Sequence, residues 1–118
     1  MAVSSVIKDK SLRFAFRIVK LYKYLTEKKK EYVLSKQVLK CGTSIGANVE
    51  EAHGAISKKD FSNKISIAYK EARETLYWLK LLQKGEFINQ KQCDSLSKDC
   101  EELNKILFSI LKTTRIEK

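Results

Sequence analysis

The side chains that most often perform acid–base or metal chemistry are sparse in this chain. His53 is the only histidine, and it falls in the predicted last turn of a helix, where an imidazole usually interacts with the helix dipole. Glu71 and Glu74 share a helix face, but a di-metal carboxylate site in a helical bundle also needs histidines. We therefore predict no catalytic residue, no metal site and no cofactor. We expect both glutamates to form ion pairs with Lys70, Arg73 or their neighbours.

The three cysteines, Cys41, Cys93 and Cys100, form no C-x-x-C pair and fall at apolar helical positions. Buried, reduced thiols explain them better than disulfides or metal ligands do. The amino terminus lacks the apolar core of a signal peptide, and no apolar run approaches the ~20 residues that span a bilayer. These features predict a cytoplasmic protein that does not enter the membrane.

Positive charge is concentrated in the amino-terminal third of the chain. The formal net charge is +10, and residues 1–40 account for +8 of it. Such an asymmetry favours a polyanionic partner, foremost a nucleic acid. The alternatives are a solvated basic face without a specific partner, an acidic membrane surface and an acidic protein.

The densest basic cluster lies on one side of the first predicted helix. Its members are spaced 3, 4 and 3 residues apart and fall within about 80° of one another: Lys10, Arg13, Arg17 and Lys20. We call these four residues the basic stripe. No acid interrupts the stripe along the helix, and three further cations are predicted to close the helix: Lys28, Lys29 and Lys30. We predict that these seven side chains bind phosphates, with little base stacking because aromatic residues are few on that face.

Composition and capping patterns predict that these residues are positioned by four helices. The absence of proline and the presence of only four glycines favour an all-α domain. The first helix is predicted from about Asp9 to Lys29 and the second after an N-cap at Ser35. The third opens on Ser57, with a hydrophobic staple between Ile56 and Phe61. Short loops between heptad patterns predict an antiparallel, up-down four-helix bundle that forms one domain over residues 1–118.

The first helix carries more apolar surface than one bundle should bury. Its apolar side chains cover an arc of about 220°, whereas a helix on the side of a small bundle needs about half of that. Leu12, Phe16 and Val19 belong to the surplus part of the arc. The surplus predicts a second contact surface, with another subunit as the expected occupant.

The second helix combines small residues with a line of polar ones. Gly42 and Gly46 expose backbone, and this predicts a close approach of another helix. The predicted core seam includes Asn48, on the same face as Ser44 and Glu51. We expect these three to form an inter-helix hydrogen-bond network with the third helix, through its residues Thr75, Tyr69 or Arg73. A ligand site is the alternative.

Two segments together resemble a known family. GTSIGANVEEA at residues 42–52 and IAYKEARETLYWLKLL at residues 67–82 are similar to signature segments of the 23S rRNA intervening-sequence protein family. The S-I-x-x-N-x-x-E core of the family is met here by Ser44, Ile45, Asn48 and Glu51. Lys40 stands near the place where members often have arginine, and a lysine keeps the charge but not the bidentate fork.

The resemblance implies more than the residue patterns do. It implies an antiparallel four-helix bundle, assembly as a homopentamer with a basic surface, and similarity to the accessory protein of diversity-generating retroelements. That accessory protein binds nucleic acid and a reverse transcriptase, and no enzymatic activity carries over. Two classes of function are therefore compatible with the sequence. The first is a non-enzymatic module that binds RNA or structured nucleic acid through phosphates, and the alternative is an oligomeric scaffold or adaptor for a protein partner.

Overall fold

The computed structural model describes residues 3–116, which form four helices. They are α1 (Ser5–Glu27), α2 (Leu34–His53), α3 (Lys58–Lys84) and α4 (Gln90–Ile116). About 85% of the described residues are helical, and that range contains no strand. The prediction of an all-α fold is confirmed, although α1 begins four residues earlier than expected and ends two residues earlier.

The four helices pack side by side as an up-down bundle measuring 47 × 21 × 20 Å. Each helix packs on the next one along the chain, and α1 closes the square against α4. The connections are too short to carry the chain back along the bundle, so neighbouring helices run antiparallel. The contact between α1 and α4 is the least close of the four. The predicted topology is therefore confirmed, with the α1–α4 side packed less closely than the other three.

Local caps set where α3 and α4 begin. The Ser57 hydroxyl accepts the Asp60 N–H at 3.0 Å and caps α3. Asn89 and Gln92 form a reciprocal capping box on α4, each side-chain oxygen accepting the other's backbone N–H at 2.8 Å. The predicted staple is wrong, because Ile56 is 94% exposed and does not pack on Phe61.

The glycines of α2 mark where α1 lies closest. A Cβ added at Gly42 would stand 2.8 Å from Cγ1 of Ile18, and one at Gly46 would stand 3.3 Å from the carbonyl oxygen of Ser11. Two glycines inside a helix cost about 1 kcal/mol each relative to alanine. The close packing of α1 offsets that cost.

The predicted place of Asn48 in the core seam is wrong. The buried seam of α2 steps from Ile45 to Val49 and then to Ala52. Asn48 is only partly buried, and its Nδ2 donates to the Ser44 carbonyl oxygen at 2.8 Å. A four-residue step to valine keeps the seam facing the core and leaves the amide outside it, where its polar atoms need no buried partner.

We predict that Gly42→Ala lowers the free energy of unfolding by about 1–3 kcal/mol, because the new methyl overlaps Ile18. Urea unfolding followed by circular dichroism measures the change. Gly54→Ala is the matched control, since its Cβ would meet only the Glu51 carbonyl oxygen at 3.9 Å. A Gly42→Ala variant as stable as the wild type would show that the helices are not held this closely.

Candidate nucleic-acid interface

Two members of the basic stripe face α4 and are paired there. The Lys10 ammonium lies 3.0 Å from a Glu102 carboxylate oxygen. Arg17 binds Asp99 at 2.7 Å through Nη1, and its Nη2 donates to the Ser95 hydroxyl at 2.9 Å. The stripe is free of acids along α1, but α4 supplies two across the helix contact. The charge of these two cations is therefore partly neutralised within the bundle.

The other two members of the stripe carry the charge that is available to a partner. Arg13 and Lys20 are exposed, and no carboxylate within residues 3–114 lies at ion-pair distance from either. The Lys20 ammonium lies 4.9 Å from the ring centroid of Phe16, which is itself 61% exposed. The basic stripe therefore has an exposed aromatic ring, Phe16, at its edge, although the sequence predicted few aromatic residues on that face.

The three lysines predicted to close α1 lie just beyond its end. Lys28 caps the helix, its backbone N–H donating to the Tyr24 carbonyl oxygen at 2.9 Å. All three are exposed, and Lys30 has a left-handed backbone with φ of 55°. The Lys29 ammonium lies 5.8 Å from the centroid of the Tyr24 ring. These cations extend the basic surface from the stripe into the α1–α2 connection.

Glu31 holds that connection against the start of α2. Its carboxylate accepts the backbone N–H groups of Val33 at 3.1 Å, Leu34 at 2.9 Å and Ser35 at 2.7 Å. The predicted N-cap at Ser35 is wrong, because Ser35 is buried inside the first turn and donates its hydroxyl to the Glu31 carbonyl oxygen. Partial burial acts to raise the pKa of Glu31, but the hydrogen bonds from Leu34, Ser35 and Val33 outweigh it and hold the pKa below its usual value.

The polar line of α2 forms bonds mostly within its own helix. The Ser44 hydroxyl donates to the Lys40 carbonyl oxygen at 2.6 Å, and Asn48 donates to the carbonyl oxygen of Ser44. Glu51 alone of these three crosses to α3, where it pairs with Lys64 at 2.9 Å.

The residues of α3 predicted to complete that network are also satisfied locally. Thr75 donates to the Glu71 carbonyl oxygen at 2.7 Å, and Arg73 donates to the Tyr69 hydroxyl at 3.5 Å. The prediction of a hydrogen-bond network from α2 to Thr75, Tyr69 or Arg73 is wrong. Helical hydroxyls reach a carbonyl oxygen one turn earlier, so they needed no partner on the next helix.

The candidates for acid–base chemistry have structural partners. The Nδ1 atom of His53 accepts the backbone N–H of Val3 at 3.3 Å, so this imidazole fixes the start of the described chain. Glu74 accepts the indole N–H of Trp78 at 3.1 Å. Burial and the neighbouring Glu74 carboxylate raise the pKa of Glu71. Neither glutamate forms the predicted ion pair with Lys70 or Arg73.

The cysteines are free and buried, and the described side chains include no cluster of histidine, cysteine and carboxylate groups that could hold a metal ion. Burial raises the pKa of the Cys41 thiol to about 11 and that of Cys100 to about 12. Both thiols therefore stay protonated and poorly nucleophilic at neutral pH. Over the same part of the chain, no helix is long and apolar enough to cross a membrane.

The surplus apolar arc of α1 remains uncovered in the single bundle. Leu12 is 71% exposed and Phe16 is 61% exposed, whereas Val19, at the edge of the arc, is half-buried. Ile7, Phe14 and the rest of the inner stripe are buried. The bundle thus presents apolar and basic side chains on neighbouring parts of the same helix.

Residues 4–109 match the sequence profile of the 23S rRNA-intervening sequence protein family. The chain belongs to this family. It is also similar to a protein of unknown function from the S23 ribosomal protein family of Bacteroides thetaiotaomicron, known from a crystal structure. The two sequences are 57% identical over 90% of this chain and 98% of that one, with a TM-score of 0.89. No curated protein matches the chain.

Family membership confirms the resemblance inferred from the two signature segments, and the similar crystal structure agrees with the fold. It supplies no activity, because the similar crystal structure is of a protein whose function is itself unknown. The surface chemistry of this chain is dominated in its amino-terminal third by the exposed cations of α1 and of the α1–α2 connection.

We predict that Glu31→Gln lowers the free energy of unfolding at pH 7 by about 1 kcal/mol, because a charged cap of α2 is lost. The folded-state pKa of Glu31 is lowered, so its contribution is complete above the usual value of 4.5 and disappears as the pH falls through the folded pKa. Urea unfolding of both proteins between pH 7 and pH 3 measures the difference. Glu27→Gln, at the exposed end of α1, is the control. A wild-type advantage that stays constant down to pH 3 would contradict the charged cap.

Proposed function

We propose that this protein is a non-enzymatic, oligomeric module that binds RNA or structured nucleic acid through its phosphates. The observation that carries the proposal is the exposure of Arg13 and Lys20 without carboxylate partners among the described residues. Lys28, Lys29 and Lys30 extend the same basic surface. This surface lies in the part of the sequence that holds most of the net charge.

Phosphate binding fits the chemistry of these side chains. Flexible, exposed cations neutralise phosphates and release condensed counterions without reading the bases. The ion pairs of Lys10 and Arg17 with α4 lower the charge near the helix contact, so the outer cations contribute most of the attraction. Affinity should therefore be broad in sequence and strongly dependent on salt.

Self-association would multiply these contacts. The exposed Leu12 and Phe16 offer an apolar surface to another copy of the chain, and the family resemblance implies a homopentamer. A ring would repeat the basic stripe once in each subunit, so that weak contacts combine into useful avidity.

The second candidate is an oligomeric scaffold or adaptor for a protein partner. The same exposed apolar side chains of α1 favour it. In that case the basic face has no part in binding the partner. Apolar contacts survive high salt and phosphate contacts do not, so salt dependence separates the two functions.

We predict that changing both Arg13 and Lys20 to glutamine weakens binding to all nucleic-acid sequences about equally. Plots of log K against log salt should become flatter by about 0.7–0.9 per lost contact in each engaged subunit. Fluorescence anisotropy with labelled RNA measures this. Arg17 is left intact because its substitution would also break the bond to Asp99.

The control changes Lys98 and Lys105, two exposed lysines of α4, to glutamine in the same way. The control removes the same charge from another face. Absence of binding at low salt, or equal damage by the control pair, would remove the nucleic-acid function and leave the scaffold as the better account.

We also predict that light scattering at micromolar concentration gives a mass well above the 13.6 kDa of the monomer. Changing Leu12 and Phe16 to serine should return the mass to that of the monomer without loss of helix, because both side chains are exposed in the protomer. A wild-type protein that is monomeric under these conditions would refute self-association.

A further inference from the structure

A groove runs along the side of the bundle between α1 and α4. It has a volume of about 520 Å³ and lies between the two neighbouring helices that pack least closely. α1 contributes Arg17, Lys20, Leu21 and Tyr24 to its lining, and α4 contributes Lys91, Gln92, Ser95 and Leu96. We call it the α1–α4 groove.

The floor of the α1–α4 groove is apolar and its rim is cationic. Leu21 and Leu96 are buried side chains that reach its surface, and the half-buried Tyr24 ring adds an aromatic wall. Lys20 and Lys91 stand on opposite helices. Neither has a carboxylate within ion-pair distance in the part of the chain that the structure describes.

The polar groups of the groove are held in place by bonds already described. The Ser95 hydroxyl and Asp99 fix the Arg17 guanidinium on the α4 wall. The capping box uses the Gln92 Oε1 atom, so that its amide nitrogen remains a donor with no acceptor among the described atoms. A ligand would thus meet an oriented guanidinium and an oriented amide donor without rearrangement of either.

Charge distinguishes this groove from others on the bundle. Its lining holds three cations and no carboxylate. The groove between α3 and α4 includes Glu101, the one between α1 and α2 includes Asp9 and Glu50, and one near the start of α3 includes Asp60. Arg17 is paired with Asp99, whereas Lys20 and Lys91 have no such partner among the described residues. An apolar floor flanked by these two lysines is complementary to a ligand with flat apolar rings and flanking anionic groups.

The α1–α4 groove continues towards the α3–α4 connection. Tyr24 and Gln92 also line the next depression, where the lysine Lys29 and the carboxylate of Glu86 both contribute to the lining. Lys29 follows Arg17 by twelve residues and lies just beyond the end of α1, so the two are separated by up to about 18 Å at the helical rise per residue. The path is therefore long enough for an extended chain of linked anionic groups.

We propose that the α1–α4 groove binds an unpaired segment of a nucleic-acid strand. A base lies against Tyr24 above the leucine floor, and the flanking phosphates lie on Arg17, Lys20 and Lys91. This inference rests on the proposed function and deepens it, because only an unstacked base can enter the groove. A duplex keeps its bases stacked inside and can use only the outer cations.

The test compares binding of a single-stranded RNA with binding of the same strand in a duplex. The RNA has about 12 nucleotides, a length within the usual range for single-strand sites, and no self-complementarity. Tyr24→Leu keeps the apolar packing and removes the aromatic ring. We expect it to weaken single-strand binding about ten-fold, within the usual effect of losing one stacked base, and to leave duplex binding unchanged. Fluorescence anisotropy at one fixed salt concentration gives both affinities.

Tyr69→Leu is the matched control. Tyr69 is likewise half-buried, lines the α3–α4 groove and has a cation, Arg73, 5.9 Å from its ring. It should leave both affinities unchanged. Lys91→Gln adds a second readout that does not depend on Tyr24: it should flatten the salt dependence of single-strand binding by about 0.7, whereas Lys98→Gln should not.

The outcomes separate this inference from the proposed function. If the wild type binds neither RNA at low salt, the proposed function fails and this inference fails with it. If both RNAs bind but Tyr24→Leu weakens them equally, or weakens neither, the groove is not a base site and phosphate binding by the outer cations stands. Displacement of the single strand by poly-glutamate as readily as by unlabelled strand would show recognition of charge alone, or of an acidic peptide, and would overturn the inference.

Discussion

The contact of α1 with the glycine face of α2 fixes where the candidate functional groups of α1 lie. Ile18 occupies the space that a side chain at Gly42 would need, so α1 lies directly against the α2 backbone. The opposite side of α1 faces α4 across a looser contact. Arg17 and Lys10 join that contact through Asp99 and Glu102 at its rim. The close contact with α2 holds α1 in place, and the looser contact with α4 leaves space for a groove between those two helices.

The same arrangement divides the basic residues of α1 into two groups with different properties. The paired cations are held in position, so that Arg17 presents an oriented guanidinium beside an apolar floor. Arg13 and Lys20 are exposed and have no carboxylate partner among the described residues, so their charge is available for long-range attraction of a polyanion. Oriented donors give selectivity, whereas exposed charges give association rate and salt-dependent affinity. In the proposed function, the exposed cations of α1 attract a strand, and its oriented guanidinium helps to discriminate between paired and unpaired bases.

Features with local causes were predictable from the sequence. The Ser57 cap and the Asn89–Gln92 capping box depend on residues three apart, and the glycines of α2 required a close helix whatever its identity. Other features depend on distant parts of the chain. Asp99 is 82 positions from Arg17, and no local pattern shows that an acid on α4 will meet the stripe. The cap of α2 is Glu31, one helical turn before the predicted Ser35, and the buried seam residue is Val49, one residue after the predicted Asn48. In both places several residues satisfied the same sequence pattern, and tertiary packing decided between them.

The central claim is that nucleic acid contacts the basic side of α1 along the α1–α4 groove. Photo-crosslinking tests it most directly, with a single-stranded RNA that carries 4-thiouracil and with mass spectrometry of the linked peptides. The account predicts crosslinks on α1 and its following connection between Arg17 and Lys30, and on the first turns of α4 around Lys91. Crosslinks confined to the α2–α3 face, around Lys40, Lys64 and Lys70, would contradict it.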